Sequence, residues 1–185
     1  PAMRNRLQTV AQQVGEVDIL INNAGYEQVC PSYELTEETW DTIMETNLKG
    51  AFFAAQFAAH SMVRSSRGGA IVNVCSLTSY VGVPTAVPYG SSKSGLLGMT
   101  RALSTEWASE QIRVNAIAPG YFRTELTEAF YREQAWQEAM LQKIPLNSFG
   151  NANDLKGAVV FLVNDAAKYI TGQCLAIDGG YLASI

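Results

Sequence analysis

The sequence is poor in the residues that most often build metal or thiol chemistry. It holds one histidine, His60, and three cysteines, Cys30, Cys75 and Cys174, with no C-x-x-C pair. A single histidine, set in a helical stretch, gives little support to histidine-based metal sites or to Ser-His-Asp catalysis. An odd number of widely spaced cysteines argues against a disulfide framework or zinc knuckle and fits a reducing cytosol. Cys75 and Cys174 sit in apolar, strand-like runs and are expected to be small buried hydrophobes, whereas Cys30 falls in a loop. Positive charge is also scarce: 13 Lys+Arg stand against 17 Asp+Glu, a net charge of −4, with no basic stripe. Nucleic acid and anionic membrane are therefore poor partners. No apolar run approaches the ~18 residues needed to span a bilayer. Residues Pro1–Arg6 are not followed by the apolar segment of a signal peptide. The phosphate-binding fingerprint G-x-G-x-x-G is missing as well.

What is present is a strand–helix alternation. With 48% hydrophobic residues in 185, the chain can build a core and is expected to form one domain over residues 1–185. Met3, Leu7, Val10 and Val14 have helical spacing, and Gly15 follows as a stop. Residues 17–21 read as a short apolar strand ending in Asn22-Asn23-Ala24-Gly25. Thr36 is placed to cap a helix whose first turn carries Glu37 and Glu38. The spacing of Trp40, Ile43, Met44, Leu48, Ala51, Ala55, Ala58 and Met62 continues that helix to about residue 65. Strands are expected over 70–75, 113–118 and 174–178. Helices are expected over 89–109, 125–142 and 152–164. Apolar strands alternating with helices imply a parallel sheet covered on both faces. The fold class is therefore α/β, a doubly wound, Rossmann-like sheet. The chain opens on a helix with no strand before it, so its four strands are expected to be the later ones of a larger sheet.

Tyr89 and Lys93 lie four residues apart in a predicted helix, so phenol and ammonium share one face. Ser76 stands at the carboxyl end of a predicted strand, the edge at which ligands bind open α/β sheets. Asn47 interrupts an apolar helical stripe, and a buried amide must be hydrogen-bonded to be tolerated.

Asn22-Asn23-Ala24-Gly25, Asn47, Ser76, Tyr89-x-x-x-Lys93 and Pro119-Gly120 occur in the order and approximate spacing of the short-chain dehydrogenase/reductase family. The sequence resembles that family over essentially its whole length. Within the family, residues 117–125 and 175–182 look most like gluconate 5-dehydrogenases and 2-deoxy-gluconate 3-dehydrogenases.

The resemblance implies an oxidoreductase that passes a hydride between NAD or NADP and a secondary alcohol or ketone, with a sugar acid such as gluconate as first substrate. It implies that Tyr89 transfers the substrate proton and that Lys93 lowers its pKa and holds the nicotinamide ribose. Ser76 would hydrogen-bond the substrate oxygen, and Asn47 would hold a water that relays protons from Lys93. Asn22, Ala24 and Gly25 would line the adenosine side of the cofactor. Pro119 and Gly120 would turn the chain under the nicotinamide, with Phe122 and Thr124 binding its carboxamide. A phenol of pKa about 10 is a poor base at neutral pH, and a neighbouring ammonium favours its ionised form. The resemblance also implies a cytoplasmic homodimer or homotetramer joined through the helices at 37–65 and 89–109. Gly90, Gly95 and Gly98 in the second of these suit close approach. Phe130, Tyr131, Trp136 and Met140 lie where relatives cover the substrate, and serve equally well as core. Arg123 and Arg132 are candidates to pair with a substrate carboxylate. Two alternatives stay open: a 3-oxoacyl-carrier-protein reductase, and a truncated, non-catalytic subunit or interaction module for which the missing glycine-rich turn argues.

Overall fold

A computed structural model describes residues 9, 11–13, 15–123 and 130–185. Most of the predicted first helix, and the start of the one expected from Glu125, lie outside the described residues. Four parallel strands form one sheet in the order β1-β2-β3-β4: β1 (Ile19–Asn22), β2 (Gly69–Val74), β3 (Ile112–Pro119) and β4 (Cys174–Ile177). Between them run α1 (Glu37–Met44), α2 (Gly50–Ser65), α3 (Val87–Glu106), α4 (Gln134–Leu141) and α5 (Ala152–Val163). The α/β expectation holds, with strand ends displaced by one or two residues.

Local chemistry explains the boundaries. Thr36 caps α1 by accepting a hydrogen bond from the Thr39 amide at 3.2 Å. Pro88 occupies the first turn of α3, where its missing N–H costs nothing. Asn151 and Asp154 form a reciprocal capping box at the start of α5. The helix expected as one piece over 37–65 is two helices joined by a π-helical turn, Glu45–Lys49. Before α4, residues Phe130–Arg132 make a single 3₁₀ turn.

The sheet is covered on both faces, as its apolar strands require. On one side Ile71 and Val114 meet Ala55, Ala58 and Met62 of α2 and Leu103 of α3. Further along the same side, Cys75, Ala116 and Ala118 meet Leu96 and Leu97 of α3. On the other side Val72 and Ile117 pack on Leu162 of α5. Two buried amides stitch this core together. Asn73 of β2 donates to Thr100 Oγ1 at 2.9 Å and accepts from Asn22 Nδ2 at 2.9 Å, linking β1, β2 and α3. Asn115 of β3 donates to the Ile170 carbonyl at 2.9 Å and accepts from the Gln173 amide at 3.0 Å, which positions the entry to β4. At the far edge, Ile19 and Ile21 of β1 are half-exposed. No described helix is long and apolar enough to cross a membrane.

Candidate active site

The carboxyl end of β2 and the first turns of α3 bring three of the predicted residues together. Ser76 follows β2, is 8% exposed, and caps the 3₁₀ turn Leu77–Ser79 by accepting from the Thr78 amide at 3.2 Å. Its hydroxyl also hydrogen-bonds to the Tyr89 phenol. Lys93 is 3% exposed, and its ammonium lies 5.5 Å from the centre of the Tyr89 ring. Ser79 donates to the Lys93 carbonyl at 2.8 Å, locking the turn that carries Ser76 onto the helix that carries Tyr89 and Lys93. The geometry required of a shared site is therefore present: hydroxyl, phenol and amine meet at the rim of the sheet.

Asn47 joins them from the π-helical turn between α1 and α2. Wide turns of this kind often mark functional sites because they displace a side chain from the helical pattern. Asn47 is 1% exposed. Its Oδ1 accepts from the Tyr26 amide at 2.8 Å, and its Nδ2 donates to the Tyr26 carbonyl at 2.9 Å and to Ser92 Oγ at 3.1 Å. Ser92 in turn donates to the Tyr89 carbonyl at 2.7 Å. The amide thus ties the loop after β1 to the Tyr89 turn of α3. Both amide hydrogens are spent on protein, and only the second lone pair of Oδ1 is left for a water.

Electrostatics depart from the simple expectation that Lys93 makes Tyr89 acidic. Tyr89 is pushed up to about 12, first by burial and then by the Glu27 carboxylate, with the Ser76 hydrogen bond acting in opposition. Burial also lowers Lys93. The physical reason is orientation. The ammonium donates to the Val74 carbonyl at 2.7 Å and sits over the ring face, so dehydration of the phenol dominates. Glu27 is the residue that sequence reasoning missed: its carboxyl is raised by burial and is close enough to Lys93 to be partly held down by it.

The predicted cofactor residues separate into two groups. Ala24 and Gly25 are exposed at the carboxyl end of β1. A methyl group on Gly25 would lie 3.6 Å from Lys93 Nζ and 3.8 Å from Asn47 Oδ1, so this stretch of backbone borders the site directly. Asn22, by contrast, spends its amide on the Ala51 carbonyl at 3.0 Å and on Asn73, which makes it a support for the strand end. Pro119 ends β3, and Gly120 lets that end pass β4, since a methyl group there would stand 2.7 Å from Asp178 Cα. Phe122 is buried, its ring packed on Gly150 at a position that no larger residue could share. Thr124 lies outside the described residues. A buried ammonium with one carbonyl acceptor, beside open backbone at a parallel strand end, suits a hydroxyl-rich nucleotide ligand.

Tyr131 and Trp136 resolve toward packing. Tyr131 meets Trp136 at 5.3 Å and Phe149 at 4.8 Å between ring centres, and Trp136 meets Tyr121 at 5.7 Å, all edge to face. Yet the Tyr131 hydroxyl is buried with no hydrogen-bond partner among the described residues. The three cysteines also differ from one another. Cys75 is buried as expected, but Cys174 is only half-buried, because it begins an edge strand whose side opens onto a cleft.

The family model described as enoyl-(acyl carrier protein) reductase matches residues 2–182. The chain belongs to the short-chain dehydrogenase/reductase family. It is an oxidoreductase of that family, acting on CH–OH groups. Among its short-chain dehydrogenase relatives, it is 39% identical over 183 residues to the 2-dehydro-3-deoxy-D-gluconate 5-dehydrogenase of Escherichia coli K12, covering 99% of this chain and 71% of the relative. A crystal structure assigned as a short-chain alcohol dehydrogenase from Sinorhizobium meliloti 1021 shares 61% identity at a TM-score of 0.96, covering 100% of this chain and 73% of that one. The gluconate 5-dehydrogenase of Burkholderia cenocepacia J2315, crystallised with NADP and tartrate, shares 33% identity at a TM-score of 0.96, covering 99% of this chain and 71% of that one.

Proposed function

We propose that the protein oxidises a secondary alcohol of a sugar acid such as gluconate, or reduces the matching ketone, with NAD or NADP as the redox partner. The observation that carries this reading is the convergence of Ser76, Tyr89 and Lys93 at the end of β2, with Asn47 bracing the opposite wall. The nicotinamide, when bound, supplies or accepts the hydride. Lys93 would hold the nicotinamide ribose through the ammonium hydrogens not used on Val74, and the backbone of Ala24 and Gly25 would border the adenosine side. Phe122 and Thr124 would bind the carboxamide.

The residues of the chain handle the proton. Ser76 donates to the substrate oxygen and stabilises the charge that grows there. Tyr89 Oη takes the alcohol proton in oxidation or delivers it in reduction. A phenol raised to about 12 holds its proton firmly at neutral pH, which suits it as the acid in ketone reduction. For oxidation it needs added positive charge nearby, and Lys93 is placed to contribute once its ammonium is drawn off the ring face. The relay through an Asn47-bound water would use the remaining lone pair of Oδ1.

The Arg123 guanidinium acts on the Tyr131 hydroxyl and so stands on the same wall, where positive charge favours an acid group on the substrate. The B. cenocepacia relative carries tartrate, a hydroxy acid. An acyl-carrier substrate is the second reading, favoured by the description of the family model. The net charge of −4 counts against it, because an acidic carrier docks on basic surface. We place the protein in the cytosol, as a homodimer or homotetramer built through α1, α2 and α3.

A screen of sugar acids against 3-oxoacyl thioesters, with each cofactor at high concentration, tests the reading. Sugar-acid turnover is expected, and Tyr89→Phe is expected to remove it while leaving cofactor binding nearly unchanged. Near-normal turnover in that variant would take Tyr89 out of the mechanism, and thioester reduction alone would replace the substrate class.

A further inference from the structure

The loop that leaves β1 is pinned to the site at both ends. Asn47 holds the Tyr26 backbone by its amide at 2.8 Å and by its carbonyl at 2.9 Å. The Cys30 amide donates to the Thr85 carbonyl at 2.9 Å, just ahead of α3. Between these pins the side chains part. The Tyr26 hydroxyl donates to Gln28 Oε1 at 2.9 Å, and both residues are exposed, so they share the outer side of the loop. Glu27 stands between them, is half-buried, and turns inward. There its carboxylate faces Lys93 and Tyr89, which both feel its charge. It forms no hydrogen bond or ion pair among the described residues. Lys93 spends a hydrogen on the Val74 carbonyl instead. A partly dehydrated carboxylate without a donor is costly, and such a group calls for a partner.

We propose that Glu27 is a specificity residue, which accepts a hydrogen bond from a hydroxyl on the carbon next to the one that reacts. Ser76 and Tyr89 hold the reacting oxygen, and Glu27 takes its neighbour from the β1 side. Two carboxylates at such range repel, so an acid group is excluded from that neighbouring carbon. With a sugar acid as substrate, the reading on which this rests, the polyol end enters the site and the acid end stays away from Glu27. Positive charge is available on the other side: β2 lies between β1 and β3, and Arg123 follows β3.

This role is separable from the influence of Glu27 on the Tyr89 proton. A bias on the phenol changes the turnover of every alcohol alike. A hydrogen bond to the substrate changes only those alcohols that carry the extra hydroxyl.

The test uses three small secondary alcohols that differ in one substituent: isopropanol, propylene glycol and lactate. Their oxidation is measured with the full chain and with its Glu27→Ala and Glu27→Gln variants, and gluconate is run alongside. The ratio of kcat/KM for propylene glycol to that for isopropanol cancels any change at Tyr89 and any loss of folded enzyme. Glu27→Ala is expected to lower that ratio roughly tenfold or more, the worth of one hydrogen bond to a charged group. Lactate, whose acid group adjoins the reacting carbon, is expected to be a poor substrate of the wild type. Glu27→Gln is expected to raise its kcat/KM relative to isopropanol. An unchanged glycol ratio in Glu27→Ala, or an unmoved lactate ratio in Glu27→Gln, would overturn the role of Glu27. No turnover of gluconate, with the glycol ratio still falling, would instead remove the sugar-acid reading and leave Glu27 as the selector of neighbouring hydroxyls.

Discussion

Tyr89 is held between opposing influences: burial and Glu27 keep it protonated, while Ser76 favours the ionised form. A carboxylate repels a nearby phenolate, so removing it stabilises the ion and lowers the phenol's pKa. Glu27→Gln is therefore expected to move the rising limb of the alcohol-oxidation pH profile to lower pH, measured as kcat/KM against pH. An unchanged limb would mean that Glu27 does not face the reacting oxygen. The residues with chemistry in their spacing were legible: Ser76, Tyr89, Lys93 and Asn47 meet as predicted. Glu27 and Ser92 were not. One is a polar loop residue and the other a small helix residue, and neither type stands out until a fold gives it neighbours.

At the scale of elements, hydrophobic spacing located α1, α2, α3, α5 and all four strands. It could not show the π-helical turn at Glu45–Lys49, because one widened turn shifts the apolar stripe too little to break its periodicity. That turn sets the direction of Asn47, so the wall facing Tyr89 depends on a feature without a sequence signature. Glycine meaning was equally hidden. Gly95 of α3 meets Leu48, where an added methyl group would stand 2.9 Å from Cδ2, whereas Gly98 faces open space. Gly120 is the more demanding position, since its obstacle is the Asp178 backbone. Gly120→Ala is expected to cost about 1–3 kcal/mol by forcing β3 and β4 apart. Denaturant unfolding would measure this, and an unchanged midpoint would show that the strand ends can yield. Asn73→Ala should cost a similar ~1–3 kcal/mol, because it removes two hydrogen bonds in the core and leaves Asn22 Nδ2 only the Ala51 carbonyl and Thr100 Oγ1 only the Leu96 carbonyl.

For the whole molecule, the outer groove between α1, the π-helical turn and α3 is lined by Met44, Leu48, Phe52 and Met99, and Phe53 beside it is 45% exposed. An apolar groove on the helices proposed to join subunits is expected to be covered in the assembly. Phe53→Asp should reduce the sedimenting species to monomer, and a wild-type protein that sediments as monomer at working concentrations would refute the assembly. Sequence alone determined the class of fold and the identity of the chemical groups, since periodicity follows backbone geometry and a Tyr-x-x-x-Lys pair shares a helix face wherever it occurs. Only the tertiary structure decided which way those groups are biased. Whether a phenol is raised or lowered depends on dehydration and on charges brought from distant parts of the chain. Glu27 acts on Tyr89 only when the strands are stacked side by side.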